Sequence, residues 1–319
     1  MKERDAYYCN LKFILLFLVV FGHWIELYIS CVVWVAVVYR VIYTVHMPLF
    51  IFLSGTFLNS GDQMKTQTYR TLIWYLAAQS VAVLVSGICG SPLTLRQPYW
   101  HLWYLLSLSQ WSFLCWALER WGQLSKRPLW VRICVIALAI GIGCGVGCLS
   151  WINRNWSLSR TLVFFPYLLA GKFCPKHKLR GKYLLGFATL AGFGVTYYLC
   201  SPYIPTSFLY QAGPYETQAS GVLLRLACYL MGGLLGIGIL ALMPSQRFAF
   251  SRIGADTLGI YLCHAPMIGI FRLLPLSSME MIAISPFASL WIIGLLCQVF
   301  RWRGQLCAIH WTGRKVNGS

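Results

Sequence analysis

The sequence predicts an all-α fold, a polytopic helical membrane protein of about ten transmembrane helices with both termini cytoplasmic. The first observation behind this is composition: the 319 residues are 58% hydrophobic and only 11% charged, whereas a soluble domain carries about a quarter charged residues. The second is patterning. Many windows of about 18 to 20 residues hold few or no charges, enough to cross hydrocarbon as a helix, and the runs are continuous rather than alternating, which argues against a β-barrel. The third is the placement of Lys and Arg, which fall on alternate connections between the apolar runs.

The expected spans begin with residues 11–30, preceded by the charged MKERDAYYCN. No small-residue cleavage site follows this run, so it reads as a retained helix and not as a secretory signal. Residues 41–59 form the second span and contain VHMPLFIFLSG (Val45 to Gly55). Pro48 removes a backbone donor there and can bend the helix, and Ser54 and Gly55 are small enough for close helix approach. A basic loop, Lys65 to Arg70, leads into the third span, 71–90. The fourth, 99–119, opens on YWHLWYL (Tyr99 to Leu105), the composition of an interfacial aromatic belt or of a stacking platform for a sugar. Residues 130–150 and 183–200 are plain apolar runs, and 157–173 carries Arg160 at its mouth. The remaining spans are 221–243, 254–273, which is interrupted by His264, Pro266 and Arg272, and 283–300. No fixed-period repeat or long extramembrane stretch is evident, so residues 1–319 read as a single integral membrane domain.

With a cytoplasmic N-terminus, twenty of the 26 Lys and Arg fall on the inner side, leaving Arg40, Arg96, Arg154, Arg160, Arg225 and Arg272 outside. This positive-inside bias orients the chain. It also accounts for most of the net charge of +18 without a nucleic-acid partner. The 13 cysteines lie scattered, mostly in spans, as reduced thiols would. Cys144 and Cys148 have no nearby His or Cys partners, so no metal is expected.

Three histidines fall at matched depth: His23, His46 and His264 lie roughly 18, 20 and 15 Å along their spans at 1.5 Å per residue. An ionisable group at such depth marks a functional site by default, although a lone imidazole serves equally as a helix–helix hydrogen bond. Glu26, three residues after His23, can share its helix face and orient or charge the ring; the alternative is a carboxylate solvated at the outer interface. Lys65 and Arg70 are topogenic, and they also sit where an anionic cytosolic cofactor would arrive. Arg160 is placed to grip an anionic acceptor or to snorkel. The Ser54 hydroxyl has no adjacent base to make it a nucleophile.

Five stretches carry a resemblance: RDAYYCNLKFILLFLVVFGH (Arg4 to His23), IYTVHMPLFIFLSGTF (Ile42 to Phe57), WHLWYLLSL (Trp100 to Leu108), RTLVFFPYLLAGK (Arg160 to Lys172) and IGADTLGIYLCHAP (Ile253 to Pro266). In this order they resemble the membrane acyltransferase-3 family, most closely its fucose 4-O-acetylase-like branch. The resemblance implies acyl-CoA-dependent transfer, usually of acetyl, to a hydroxyl of a cell-surface or lipid-linked carbohydrate at the plasma membrane. It matches His23 to the family's proposed catalytic histidine, read here as the general base with Glu26 or His46 orienting it, and Arg70 to arginines proposed to meet the phosphates of acetyl-CoA, with Lys65 beside it in the basic loop. Arg160, Trp103, Tyr261 and His264 then face the acceptor. Two positions depart from the pattern. Cys9 stands where the family usually has an aspartate before NLK, with Asp5 as its potential substitute, and the usual proline after Arg70 is absent. No further soluble domain is expected beyond Ser319.

Two other readings compete. A proton-coupled transporter or flippase for an anionic or glycan-linked molecule would use the histidines as a relay, but the inverted-repeat symmetry that favours it is not seen. A non-catalytic family member is hinted at only by Cys9.

Overall fold

The computed structural model describes residues 5–58, 61–88, 94–174, 179–255 and 257–316, with side chains as far as Arg301. Lys2, Arg4, Cys89, Lys176, His177, Lys178 and Asp256, and the side chains of Arg303, His310, Arg314 and Lys315, lie outside the described residues. The helices are α1 (Ala6–Ile25), α2 (Val33–Thr56), α3 (Gly61–Ile88), α4 (Trp103–Gly122) and α5 (Leu129–Gly145). They continue with α6 (Leu158–Phe173), α7 (Tyr183–Cys200), α8 (Gln218–Leu242), α9 (Thr257–Phe271) and α10 (Ser278–Val316). No strand occurs among the described residues.

Seven of these helices, α1, α2, α3, α5, α7, α8 and α10, are long and apolar enough to cross a membrane. α9 is apolar but has only 15 residues, α6 has 16, and α4 is the polar exception. The reason lies in the surroundings of α4. Residues 101–109 are all buried, so its serines meet protein and not hydrocarbon. A chain of bonds there joins Ser157 Oγ, Ser107 Oγ and Thr161 Oγ1 at 2.8 Å each, and Thr161 also donates to Gln110 Oε1 at 2.6 Å. A polar helix is stable at such a position because its hydroxyls are satisfied internally.

The chain divides into two compact units, the first comprising Met1–Ile42 and Met243–Ser319. In it, α1 begins on Asp5, whose carboxylate accepts from the Tyr7 amide at 3.0 Å, a side-chain cap for an otherwise unpaired helix donor. Asn10 is fully buried and donates through Nδ2 to the carbonyls of Pro244 (3.0 Å) and Gln246 (2.9 Å), while Ser251 Oγ donates to its Oδ1. These bonds hold α1 against the short 3-10 segment Ala249–Ala255. Gly254 permits that approach, since a Cβ there would stand 2.0 Å from the Cys9 carbonyl oxygen. The other flank of α1 packs on α9 and α10, where the Trp24 indole donates to Met281 O at 3.0 Å.

The second unit is Tyr43–Leu242. Helices pair in sequence order, α3 with α4, α5 with α6 and α7 with α8, as short connections dictate. The end of α2 crosses α6 through glycine on both sides. A Cβ on Gly55 would lie 2.0 Å from Leu168 O, and one on Gly171 would lie 1.9 Å from Phe52 O. Pro48 sits inside α2 without ending it. It cannot donate to Thr44 O, and that carbonyl faces α8, 3.1 Å from where a Gly232 Cβ would be.

The boundaries correct one expectation. Lys65 to Arg70 is not a loop but the opening turns of α3. Gln63 to Arg70, QMKTQTYR, contains no Gly or Pro and is mostly good helix formers, so the helix starts ahead of the apolar run. α8 and α10 likewise begin before their expected spans.

Candidate active site

In the first unit the last turn of α1 carries His23, and α1 ends two residues later at Ile25. Glu26 opens the 3-10 turn that follows, which swings its carboxylate back toward the ring: Nδ1 of His23 lies 3.3 Å from Glu26 Oε2. Both side chains are largely enclosed, at 12% and 19% exposure. An ionised carboxylate only accepts, so at this contact Nδ1 donates to Glu26, and in the neutral ring that leaves Nε2 as the basic nitrogen of His23.

α9 brings His264 onto the same site. Its ring stacks on that of His23, with centroids 5.4 Å apart and planes 21° apart. His264 is fully buried and its Nδ1 meets the Tyr261 carbonyl at 2.7 Å. Here too the acceptor can only accept, so His264 carries its proton on Nδ1. Tyr261 is buried, its ring 5.9 Å from that of His264. His23, Glu26, His264 and Tyr261 thus form one cluster.

His46 belongs to the second unit and has a different neighbourhood. It is buried edge-on to Tyr43, with ring centroids 4.6 Å apart, and Tyr43 in turn meets Tyr210 at 5.7 Å. Arg160 donates through Nε to Tyr210 O at 3.1 Å and lays its guanidinium 4.8 Å from the Trp103 ring centroid. Trp103 also stacks on Phe164 at 5.5 Å and is buried. Its ring is therefore in contact with both Arg160 and Phe164. Lys65 lies 5.2 Å over Trp116, and Arg70 is exposed on α3. Ser54 donates back to Phe50 O at 3.0 Å and pairs with the Tyr104 hydroxyl at 2.7 Å.

Two residues that sequence reasoning passed over stand out. Asn10 lies within the NLK motif, where its pairing with residues 244–251 had no local signal. Arg225, which the positive-inside count puts among the outer charges, is only 2% exposed. An apolar cavity of about 230 Å³ is lined by Pro48, Phe52, Ile140, Tyr167 and Gly233. Among the described residues no group of three His, Cys, Asp or Glu is arranged to hold a metal ion.

Comparison with known proteins gives the family of the chain. Residues 5–300 match the family model described as "Acyltransferase domain". The nodulation protein NolL of Sinorhizobium fredii (strain NBRC 101917 / NGR234) is 30% identical over 161 residues. That match covers 43% of this chain and 43% of NolL, so the similarity spans under half of that relative. No solved structure matches the chain. With the match running through the His23, His46 and His264 segments, the chain belongs to the acyltransferase-3 family of membrane acyltransferases.

Proposed function

We propose that the protein is an acyl-CoA-dependent O-acyltransferase, most simply an O-acetyltransferase, that modifies a hydroxyl of a cell-surface or lipid-linked carbohydrate at the plasma membrane. The observation that carries this reading is the enclosed His23–Glu26 pair with His264 stacked on it. A general base needs a basic nitrogen oriented by a fixed partner, and Glu26 supplies that by accepting from Nδ1. Nε2 of His23 then takes the acceptor hydroxyl proton as the oxygen attacks the thioester carbonyl; the C–S bond breaks, and the CoA sulfur leaves with that proton returned from His23. His264, ring against ring, is placed to keep the His23 imidazole from rotating.

Acetyl-CoA, as co-substrate, would be met from the cytoplasm by Arg70, exposed on α3, together with Lys65. The acceptor would arrive near Arg160, and His46 would act through Tyr43 on the acceptor side. The charge bias supports ten crossings with both termini inside. The fucose 4-O-acetylase-like motifs support a sugar hydroxyl as the target.

The test uses membranes from cells expressing the full chain, supplied with labelled acetyl-CoA. Label is expected in envelope glycan, with free CoA released in step. Membranes holding equal amounts of His23→Gln should transfer none. Undiminished transfer by that variant removes His23 from the mechanism, and acceptor movement without CoA release would favour a transporter.

A further inference from the structure

Arg225 is the eighth residue of α8, about 10 Å along a helix that is long and apolar enough to span a membrane. It is 2% exposed. Its Nε donates to the Tyr215 hydroxyl at 3.2 Å and its Nη1 donates to Gln211 Oε1. The guanidinium lies 4.9 Å from the Phe208 ring centroid and 5.3 Å from that of Tyr215. Every one of these partners is neutral. Among the described residues no carboxylate reaches it; Glu216, near in sequence, is exposed, and Glu119 pairs with Lys172 at 3.4 Å.

A buried cation with no counter-charge is unfavourable even after relaxation of its surroundings. A guanidinium has five N–H donors, and two are used here, which leaves three. Arg225 lines a small cavity together with Tyr43, Thr44, Gln211, Tyr167 and Tyr229. Its free space is about 10 Å³, room for roughly one water or one oxygen of an entering group. Tyr43, on one wall, is the ring that meets His46. The polypeptide therefore supplies charge, donors and space, and lacks the anion.

We propose that Arg225 is an anion-binding residue whose remaining N–H groups receive an oxyanion of the acceptor, either a uronic-acid carboxylate or a phosphate. This rests on the acyltransferase reading and deepens it, since it makes the acceptor an acidic glycan or a phosphate-linked one. A fork of parallel N–H donors suits either oxyanion.

The experiment is thermal unfolding of the purified full-length protein in detergent at constant ionic strength, with glucuronate, inorganic phosphate or glucose at millimolar concentration and no acyl donor. Glucuronate or phosphate should raise the wild-type midpoint by about 2–4 °C, and glucose should not. A response to glucuronate alone identifies an acidic sugar, and one to phosphate alone a phosphorylated or lipid-phosphate-linked acceptor. Arg225→Gln should lose the response, whereas Arg225→Lys should retain part of it. Equal midpoints with all three solutes in the wild type overturn the proposal without needing any variant to fold, as does an undiminished response in Arg225→Gln. Because the assay contains no acyl-CoA, its failure leaves acyl transfer untouched.

Discussion

His23 and Glu26 show what three residues of spacing can and cannot reveal. Proximity of the two side chains follows from helical geometry, but the bond at 3.3 Å is made by a carboxylate that has already left the helix. On the proposed mechanism, His23→Gln should lower transfer by about 10²–10⁴-fold. Glu26→Gln should lower kcat by about 10-fold or more with little change in the KM for acetyl-CoA, because it disturbs ring orientation and not donor binding. Steady-state kinetics in membranes with matched protein levels checks both, and an unaltered kcat in Glu26→Gln would separate the carboxylate from the chemistry. The partnership of His23 with His264 was beyond sequence reasoning, since 241 positions separate them and only the packing of α9 on α1 joins them. Cys9 is clearer from the structure. The carboxylate nearby, Asp5, is occupied in capping α1, and the Cys9 carbonyl is the surface on which Gly254 rests. Asn10, next in the chain, is the side chain that ties this region together. Asn10→Ala would leave the buried Ser251 hydroxyl and the carbonyls of Pro244 and Gln246 without their partner, and should destabilise the protein by about 1–3 kcal/mol, read as a lowered thermal midpoint.

At the level of elements, apolar length identified the helices better than it identified their ends. α3 extends through the basic turns because helix propensity is indifferent to whether a residue faces lipid or water. α4 is polar because it is enclosed by protein, a property set by its neighbours and invisible in its own residues. The small residues after HMPLF were legible as packing residues, and their partner, Gly171, lies more than a hundred positions away. In membranes such pairs allow backbones to approach where side chains cannot. Gly55→Ala and Gly171→Ala each place a methyl group against a backbone carbonyl that no side-chain rotation can move aside. Each should cost about 1–3 kcal/mol in thermal stability, and the double variant should cost less than the sum, because separating α2 from α6 once relieves both clashes. Strict additivity would show that the two helices yield independently.

At the scale of the whole molecule, the distribution of charge is the ground for the proposed orientation, and Arg225 stands apart among the charges assigned to the outer face. Arg96, Arg154 and Arg272, assigned to the outer face, are exposed as topogenic charges should be, while Arg225 is buried. Charge counting treats these four alike, because sequence carries no measure of burial. On the proposed orientation, Arg70 on α3 faces the cytoplasm and Arg154, between α5 and α6, faces outward. Arg70→Cys and Arg154→Cys, made separately in a background with the exposed native thiols Cys31 and Cys134 replaced, provide the test. A membrane-impermeant maleimide added to intact cells should label position 154 and spare position 70, and permeabilisation should expose both. Moving only one of these two positions to the other face would require an even number of crossings between them, where α3, α4 and α5 make three. A reversed pattern at both would invert the molecule, put Lys65 and Arg70 on the side away from cytosolic acetyl-CoA, and so overturn the donor-side assignment along with the orientation.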